Sequence, residues 1–141
     1  MTIKEIQNEI IDEFSMFDDW MQRYEYIIEL GKSLPLIKEE YKTEENLIKG
    51  CQSKVWLQGE QKDDKIVFTA DSDAILTKGI IAILIRAFSN QKAEDIINAD
   101  TQFIDEIGLK EHLSATRANG LVSMIKNIKM YALAFDAKNK N

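Results

Sequence analysis

The sequence predicts an α+β fold, with a small antiparallel β-sheet packed against helices, and three observations carry that prediction. Apolar residues recur at three- and four-residue spacing near both ends of the chain, which is the mark of amphipathic helices. Two β-branched and aromatic stretches, Val55-Trp56-Leu57 and Ile66-Val67-Phe68-Thr69, flank the polar, turn-forming Gln61-Lys62-Asp63-Asp64, as in a hairpin. Between the hairpin and the C-terminal helix lies a segment from about Ala74 to Phe88 that is apolar nearly all round, so it predicts a buried helix.

Taken in order, Thr2 and Glu5 form a capping-box pattern ahead of Ile3, Ile6, Ile10, Phe14 and Phe17, which opens the chain with a helix. Asp18 and Asp19 offer a second cap. Trp20, Tyr24, Ile27, Ile28 and Leu34 then follow one face of a second helix, stopped by Pro35. Periodicity dissolves from Lys38 to Gly50, which reads as a loop with at most a short strand or turn. Cys51 therefore sits on the loop that enters the first strand. Asp71-Ser72-Asp73 breaks the second strand and caps the buried helix, and Gly79 within that helix permits close packing against the sheet. Short helices are expected near Ala93–Asn98 and Gln102–Ile107, with Gly108 as a C-terminal stop. Leu121, Met124, Ile125, Ile128, Ala132 and Phe135 form the stripe of a last helix, ahead of a frayed polar tail from about Lys138 to Asn141.

The length of 141 residues suits a single domain, 1–141, that buries roughly 68–70% of the surface of its unfolded chain without a metal or disulfide. A net charge of −6 argues against binding a phosphate backbone, so no nucleic-acid partner is expected. It suits a partner with basic patches, or simply a soluble acidic protein. One cysteine excludes an internal disulfide. The N-terminus lacks the apolar core of a signal peptide, and the longest apolar run, Gly79 to Ile85, is far short of the ~20 residues of a membrane helix. A cytoplasmic protein is expected.

Cys51 is the candidate for chemistry. Free cysteine is among the most buried residue types and behaves as a small hydrophobe, so inert filler is one reading. The other is a nucleophile. Gly50 before it and Gln52-Ser53 after it offer no apolar periodicity to join, and Lys49 and Lys54 bracket it, which lowers a thiol's pKa. His112 is the single histidine, and a Cys–His hydrolase would pair it with Cys51; a surface or structural role is the plainer reading. If Ser114 caps the last helix, Arg117 falls in its first turn, where a cation opposes the helix dipole. It either points into solvent or meets an anion, and Asn119-Gly120 beside it adds flexible polar backbone. One thiol and one imidazole do not make a cluster scaffold, and Asp71/Asp73 lack the liganding run of a calcium loop. No metal is expected.

Gly50-Cys51-Gln52-Ser53-Lys54-Val55-Trp56-Leu57 closely resembles the cysteine motif of the SufE family of sulfur-acceptor proteins. Tyr26-Ile27-Ile28-Glu29-Leu30-Gly31 ahead of Leu34-Pro35 supports the likeness, as do Asp71-Ser72-Asp73-Ala74 ahead of Lys78-Gly79 and His112-Leu113-Ser114 leading to Arg117, Asn119, Gly120 and Leu121. The four motifs are collinear from about Asn8 to Ala134. Ala115 stands where a proline is common and Ala118 where a serine is common. The resemblance implies a fold shared with IscU-type scaffolds, without their ligands. It implies that Cys51 accepts sulfane sulfur from a SufS-like cysteine desulfurase, stimulates that enzyme, and passes the sulfur to a SufBCD-like iron–sulfur scaffold. Pyridoxal phosphate then resides on the desulfurase and no cofactor on this chain. Arg117 matches a recurrent arginine near the loop, and Gly50, Gln52, Ser53, Asp71 and Asp73 are expected to support it. The alternative is a non-catalytic binding module that regulates a desulfurase or related enzyme.

Overall fold

The computed structural model describes residues 1–140. It is α+β: two antiparallel strands, β1 (Val55–Lys62) and β2 (Lys65–Ser72), lie among seven described helices. Helix α1 (Ile3–Ser15) starts at the capping box, where the Thr2 hydroxyl accepts from the Glu5 amide and Glu5 accepts from the Thr2 amide. It buries Ile3, Ile10 and Phe14. Helix α2 (Trp20–Gly31) is capped by Asp19, whose carboxylate accepts from the Gln22 amide at 2.8 Å. It ends at Gly31, and Ser33 and Leu34 complete the turn with bonds back to Leu30 and Gly31 before Pro35.

The segment before the sheet holds two single 3-10 turns, Glu39–Tyr41 and Glu44–Asn46, and isolated bridges from Leu36 to Ala70 and from Leu47 to Trp56. The strands pair Val55 with Ser72 through Lys62 with Lys65. The turn is thus narrower than its polar composition suggests, Asp63-Asp64 alone, with Asp63 left-handed at φ 56°. Val55, Leu57, Ile66, Phe68 and Ala70 alternate onto one buried face. Helix α3 (Ile75–Phe88) packs between that face and α2, and is buried along most of its length. Short helices α4 (Ala93–Asn98), α5 (Gln102–Glu106) and α6 (Leu109–His112) follow, with Gly108 at φ +77° turning the chain after α5. Helix α7 (Ala115–Asn139) closes the core with Leu121, Met124, Ile128 and Ala132. No helix among the described residues is long and apolar enough to cross a membrane.

Three expectations are corrected. Gly79 serves helix contact rather than sheet contact: a Cβ there would lie 2.1 Å from the Ile27 carbonyl oxygen on α2, and one on Gly31 would lie 2.9 Å from the Gly79 amide nitrogen. Asp71-Ser72-Asp73 does not break the strand and cap the helix. β2 runs through Ser72, and the N-cap of α3 is Ala74, with no side-chain cap. The strand register claims the Asp71 and Ser72 backbone, and both carboxylates are engaged elsewhere. The expected polar tail from Lys138 begins as helix, since Tyr131 packs on Phe68 and Phe135 stacks on Tyr131 along the hairpin and α7 runs to Asn139. Asn141, the end of the expected tail, lies outside the described residues.

A partly buried ion network joins α3 to α1. The Arg86 guanidinium meets Glu9 at 2.6 Å and both oxygens of Glu13, which also accepts from the Tyr26 hydroxyl. Arg86 holds the Glu13 carboxyl below its ordinary 4.5. A carboxyl with a depressed pKa contributes stability above its unfolded pKa, which is lost as pH falls through the folded value.

Two outcomes follow. Gly79→Ala should destabilise by about 3 kcal/mol or more, because the obstructing atom is backbone and α2 must move away; urea unfolding measures it. Glu13→Gln should cost about 1–2 kcal/mol at pH 7, with the gap to wild type closing as pH drops below the ordinary carboxylate range in paired unfolding curves.

Candidate functional site

Cys51 stands on a loop closed at its base, where the Ile48 amide donates to the Val55 carbonyl at 2.8 Å and Leu47 bridges Trp56. Gly50 turns the chain at φ +91°, and a Cβ there would come within 2.7 Å of the Ser123 hydroxyl on α7. Its conformation favours glycine, and a Cβ would also oblige the Ser123 hydroxyl to shift. The turn swings the Cys51 side chain onto α7. Sγ lies 3.7 Å from the Gly120 carbonyl oxygen, a weak thiol donor contact, and 3.3 Å from where a Gly120 Cβ would stand.

The thiol is half-buried, and burial alone pushes its pKa above the ordinary 9.0. This reverses the expectation drawn from Lys49 and Lys54. Their ammonium groups reach solvent, while the sulfur is turned inward and loses hydration. At neutral pH the resting group is a protonated thiol.

The loop's exit is held from the end of β2. Asp73 accepts from the Lys54 amide at 3.0 Å and returns its own amide to the Lys54 carbonyl at 3.2 Å, which also accepts from the Ser72 hydroxyl at 2.8 Å. Asp71 sits behind this, bound to Lys42 at 2.7 Å and Lys78 at 3.3 Å. Burial opposes its ionisation, but the Lys42 ammonium, the Ser72 amide and Lys78 together hold the carboxyl below its usual range. Lys42 in turn lies over the Trp56 ring, 5.5 Å from its centre. Ser53 comes within 3.5 Å of the Thr77 hydroxyl near the start of α3, and Gln52 is exposed.

Arg117 lies in the first turn of α7, its amide bonded to the Ser114 hydroxyl at 3.3 Å and its side chain exposed. Together with Cys51, Thr77, Thr116 and Met124 it lines a hollow of about 10 Å³, room for about one water-sized atom. His112 is placed otherwise: its Nδ1 is 3.0 Å from the Gly108 carbonyl and its ring stacks on Trp20 at 4.2 Å. No hydrogen bond joins it to Cys51, so the structure does not assemble a Cys–His pair. Among the described residues no group of three or more His, Cys, Asp or Glu is gathered for a metal ion.

Two contributors to the site are not evident from the sequence. Thr77 carries no signal in its helical context. Gly120 reads as flexible backbone, yet it is buried within α7. An interior helical glycine costs about 1 kcal/mol relative to alanine, so its presence is itself a signal of close approach by another group.

These features define a class: a small α+β protein that presents one cysteine on a pinned loop, sheltered by a long C-terminal helix. Comparison with known proteins specifies it. The model of the SufE family, described as an Fe-S metabolism associated domain, matches residues 8–132. Relatives include an uncharacterized SufE-like protein of Rhizobium meliloti, 45% identical over 130 residues that cover 89% of this chain and 93% of that one. Another, from Rhizobium etli, is 43% identical over 127 residues, 86% of each chain. The solution structure of a hypothetical protein from Thermus thermophilus superposes with a TM-score of 0.76 over 92% of this chain and 94% of that one, at 14% identity. The chain belongs to the SufE family, and with it to proteins associated with iron–sulfur metabolism.

The raised thiol pKa has two measurable consequences. Alkylation of Cys51 by iodoacetamide should reach half its limiting rate at a higher pH in the folded chain than in urea. Because the folded state holds this proton more tightly, stability should also fall as pH rises through the folded pKa, a loss that Cys51→Ser removes.

Proposed function

We propose that this chain is a sulfur acceptor and carrier: it takes persulfide sulfur from a cysteine desulfurase onto Cys51, stimulates that enzyme, and delivers the sulfur to an iron–sulfur scaffold. The observation that carries the reading is the placing of Cys51, half-buried on a loop tied at its base and exit and held at the cysteine itself by a weak contact to Gly120. A carrier needs an acceptor without a resolving thiol beside it, and the chain has one cysteine.

The step is a thiol–persulfide exchange. Cys51 loses its proton to solvent or a base of the donor, and its thiolate attacks the outer sulfur of the donor persulfide. The new S–S bond forms on Cys51 as the donor's S–S bond breaks, and the departing donor thiolate takes up a proton. Nothing is oxidised or reduced overall. The resting thiol is a poor nucleophile, so contact with the donor must draw the loop tip out of its seat and lower the desolvation that raises the pKa. Arg117 lines the same hollow, which supports its cation as the partner of the thiolate or persulfide anion. Pyridoxal phosphate belongs to the donor, and this chain works in the reducing cytoplasm without a cofactor of its own.

The same sheltered thiol favours a second reading, a binding module that regulates a desulfurase while Cys51 stays inert. Incubation with a cysteine desulfurase and free cysteine separates the two. The carrier gains the mass of one sulfur atom on Cys51, removable by dithiothreitol, and Cys51→Ser abolishes both this gain and the stimulation. Full stimulation by Cys51→Ser would sink the carrier reading. Arg117→Ala should slow transfer roughly tenfold, the loss of one charge-assisted contact, with an unchanged melting temperature; Arg117→Lys should recover part of it.

A further inference from the structure

The charge of −6 is not spread evenly. Two hollows flank the Cys51 loop on its outer side, of about 240 and 400 Å³, and Leu47 and Lys49 form the ridge between them. The first contains Cys51, Glu44 and Lys54; the second is closed by α7 through Lys126 and Met130, with Glu45 at its edge. Arg117 lines the third, inner hollow under the thiol. Lys49, Lys54, Arg117 and Lys126 are all exposed, and among the described residues none of them forms an ion pair. Lys42, Lys78, Arg86 and Lys92 are paired, whereas Lys4, Lys38, Lys62, Lys65 and Lys138 are exposed elsewhere on the surface without an ion pair among the described residues. What sets the rim apart is therefore its excess of cations over carboxylates. Four cations against Glu44 and Glu45 leave the rim at +2, and the rest of the chain at −8.

The face also exposes apolar side chains, as do other parts of the surface such as Met16, Met21 and Leu36. Ile75, Val122 and Met130 are 68%, 52% and 55% exposed. Ile75 opens α3 next to Asp73, which holds the loop exit, and Val122 follows the Gly120 seat by half a turn.

We propose that this rim is the docking surface for the sulfur donor, and that the donor presents acidic side chains around the mouth through which its persulfide emerges. The inference rests on the carrier reading and names its partner's surface. Unpaired cations gain from an incoming carboxylate without breaking an internal pair, and the −8 remainder favours this face over the rest for an acidic partner. The donor, rather than the receiving scaffold, is the occupant. It must engage while Cys51 is still seated on Gly120, so the rim as arranged here is the surface it meets. Apolar Ile75 and Met130 among the cations fit a protein surface better than a nucleic-acid backbone.

The test uses the full chain, a purified cysteine desulfurase and free cysteine at low salt, with sulfur loading of Cys51 as the readout. The double variant Lys49→Glu/Lys126→Glu should raise the KM for this chain roughly tenfold or more and leave kcat unchanged, and the difference should shrink at high salt. Lys4→Glu/Lys65→Glu, with the same charge change outside the rim, should leave KM near wild type. Circular dichroism confirms that both variants are folded. An unchanged KM in the rim variant, while wild type loads and Cys51→Ser does not, overturns the docking proposal and leaves the carrier reading standing. An equal rise in both double variants also overturns it, by reducing the effect to net charge. Salt-sensitive oligonucleotide binding lost in the rim variant, with KM unchanged, would reassign the patch to nucleic acid. Failure of wild type to load at all overturns both readings.

Discussion

Helices α2 and α3 touch through backbone: a Cβ on Gly79 would lie 2.1 Å from the Ile27 carbonyl oxygen, and Gly31 faces Gly79 from the other side. That contact fixes where α3 lies, and the remainder is arranged around α3. Its other flank carries the sheet through Phe68 and Ala70, and its apolar circumference becomes the common core for α1 and α7. The site inherits this placement. Thr77 lies half a turn ahead of Gly79 and reaches Ser53, and the residues leading into α3 are those that hold Lys54. The Cys51 loop is therefore mounted at the start of the most rigidly packed helix.

Rigid mounting is confined to the ends of the loop. Ile48–Val55 at the base and the Ser72–Asp73–Lys54 bonds at the exit are backbone-involving and short, whereas the tip rests on α7 through a weak sulfur contact and the fit of Gly50 against Ser123. Local opening free energies follow local contact, so the tip opens before either end. Burial that raises the thiol pKa also keeps the sulfur from oxidants that attack thiolates. The seat on Gly120 thus keeps the thiol protonated and sheltered while the tip is in place.

Local features of this chain are legible in its sequence, and the features that depend on distant contacts are not. The Thr2–Glu5 cap, the hairpin, the helix breaks at Pro35 and Gly108 and the stripe of α7 each follow from residues a few positions apart. The SufE cysteine motif is local as well, which is why Cys51 stands out as the candidate for chemistry. Asp71 and Asp73 mislead because cap propensity is judged on neighbours, while their actual partners, Lys42 and Lys54, are set by the register of β2 against β1. Cys51 and Gly120 are separated by 69 positions, so the shelter that reverses the thiol's expected pKa shift leaves no trace beside the cysteine. The cationic rim is scattered in the same way over the loop, the first turn of α7 and its middle.

This scattering accounts for how an acidic chain could address an acidic partner. Beyond a Debye length, about 8 Å at physiological salt, exposed charges are largely screened, so the side chains nearest the approaching surface decide, and net charge acts at longer range only as salt is lowered. Over most of its face a chain of −6 meets an acidic surface with like charge, so unproductive encounters are discouraged there. At short range Lys49, Lys54, Arg117 and Lys126 reverse the sign around Cys51. If a sulfur carrier depends on meeting its donor loop-first, repulsion elsewhere on the surface contributes as much to orientation as attraction at the rim does. The two requirements of the cysteine, shelter at rest and exposure on contact, are then met by different forces: apolar and backbone contact holds the sulfur in, and charge selects the surface that brings it out.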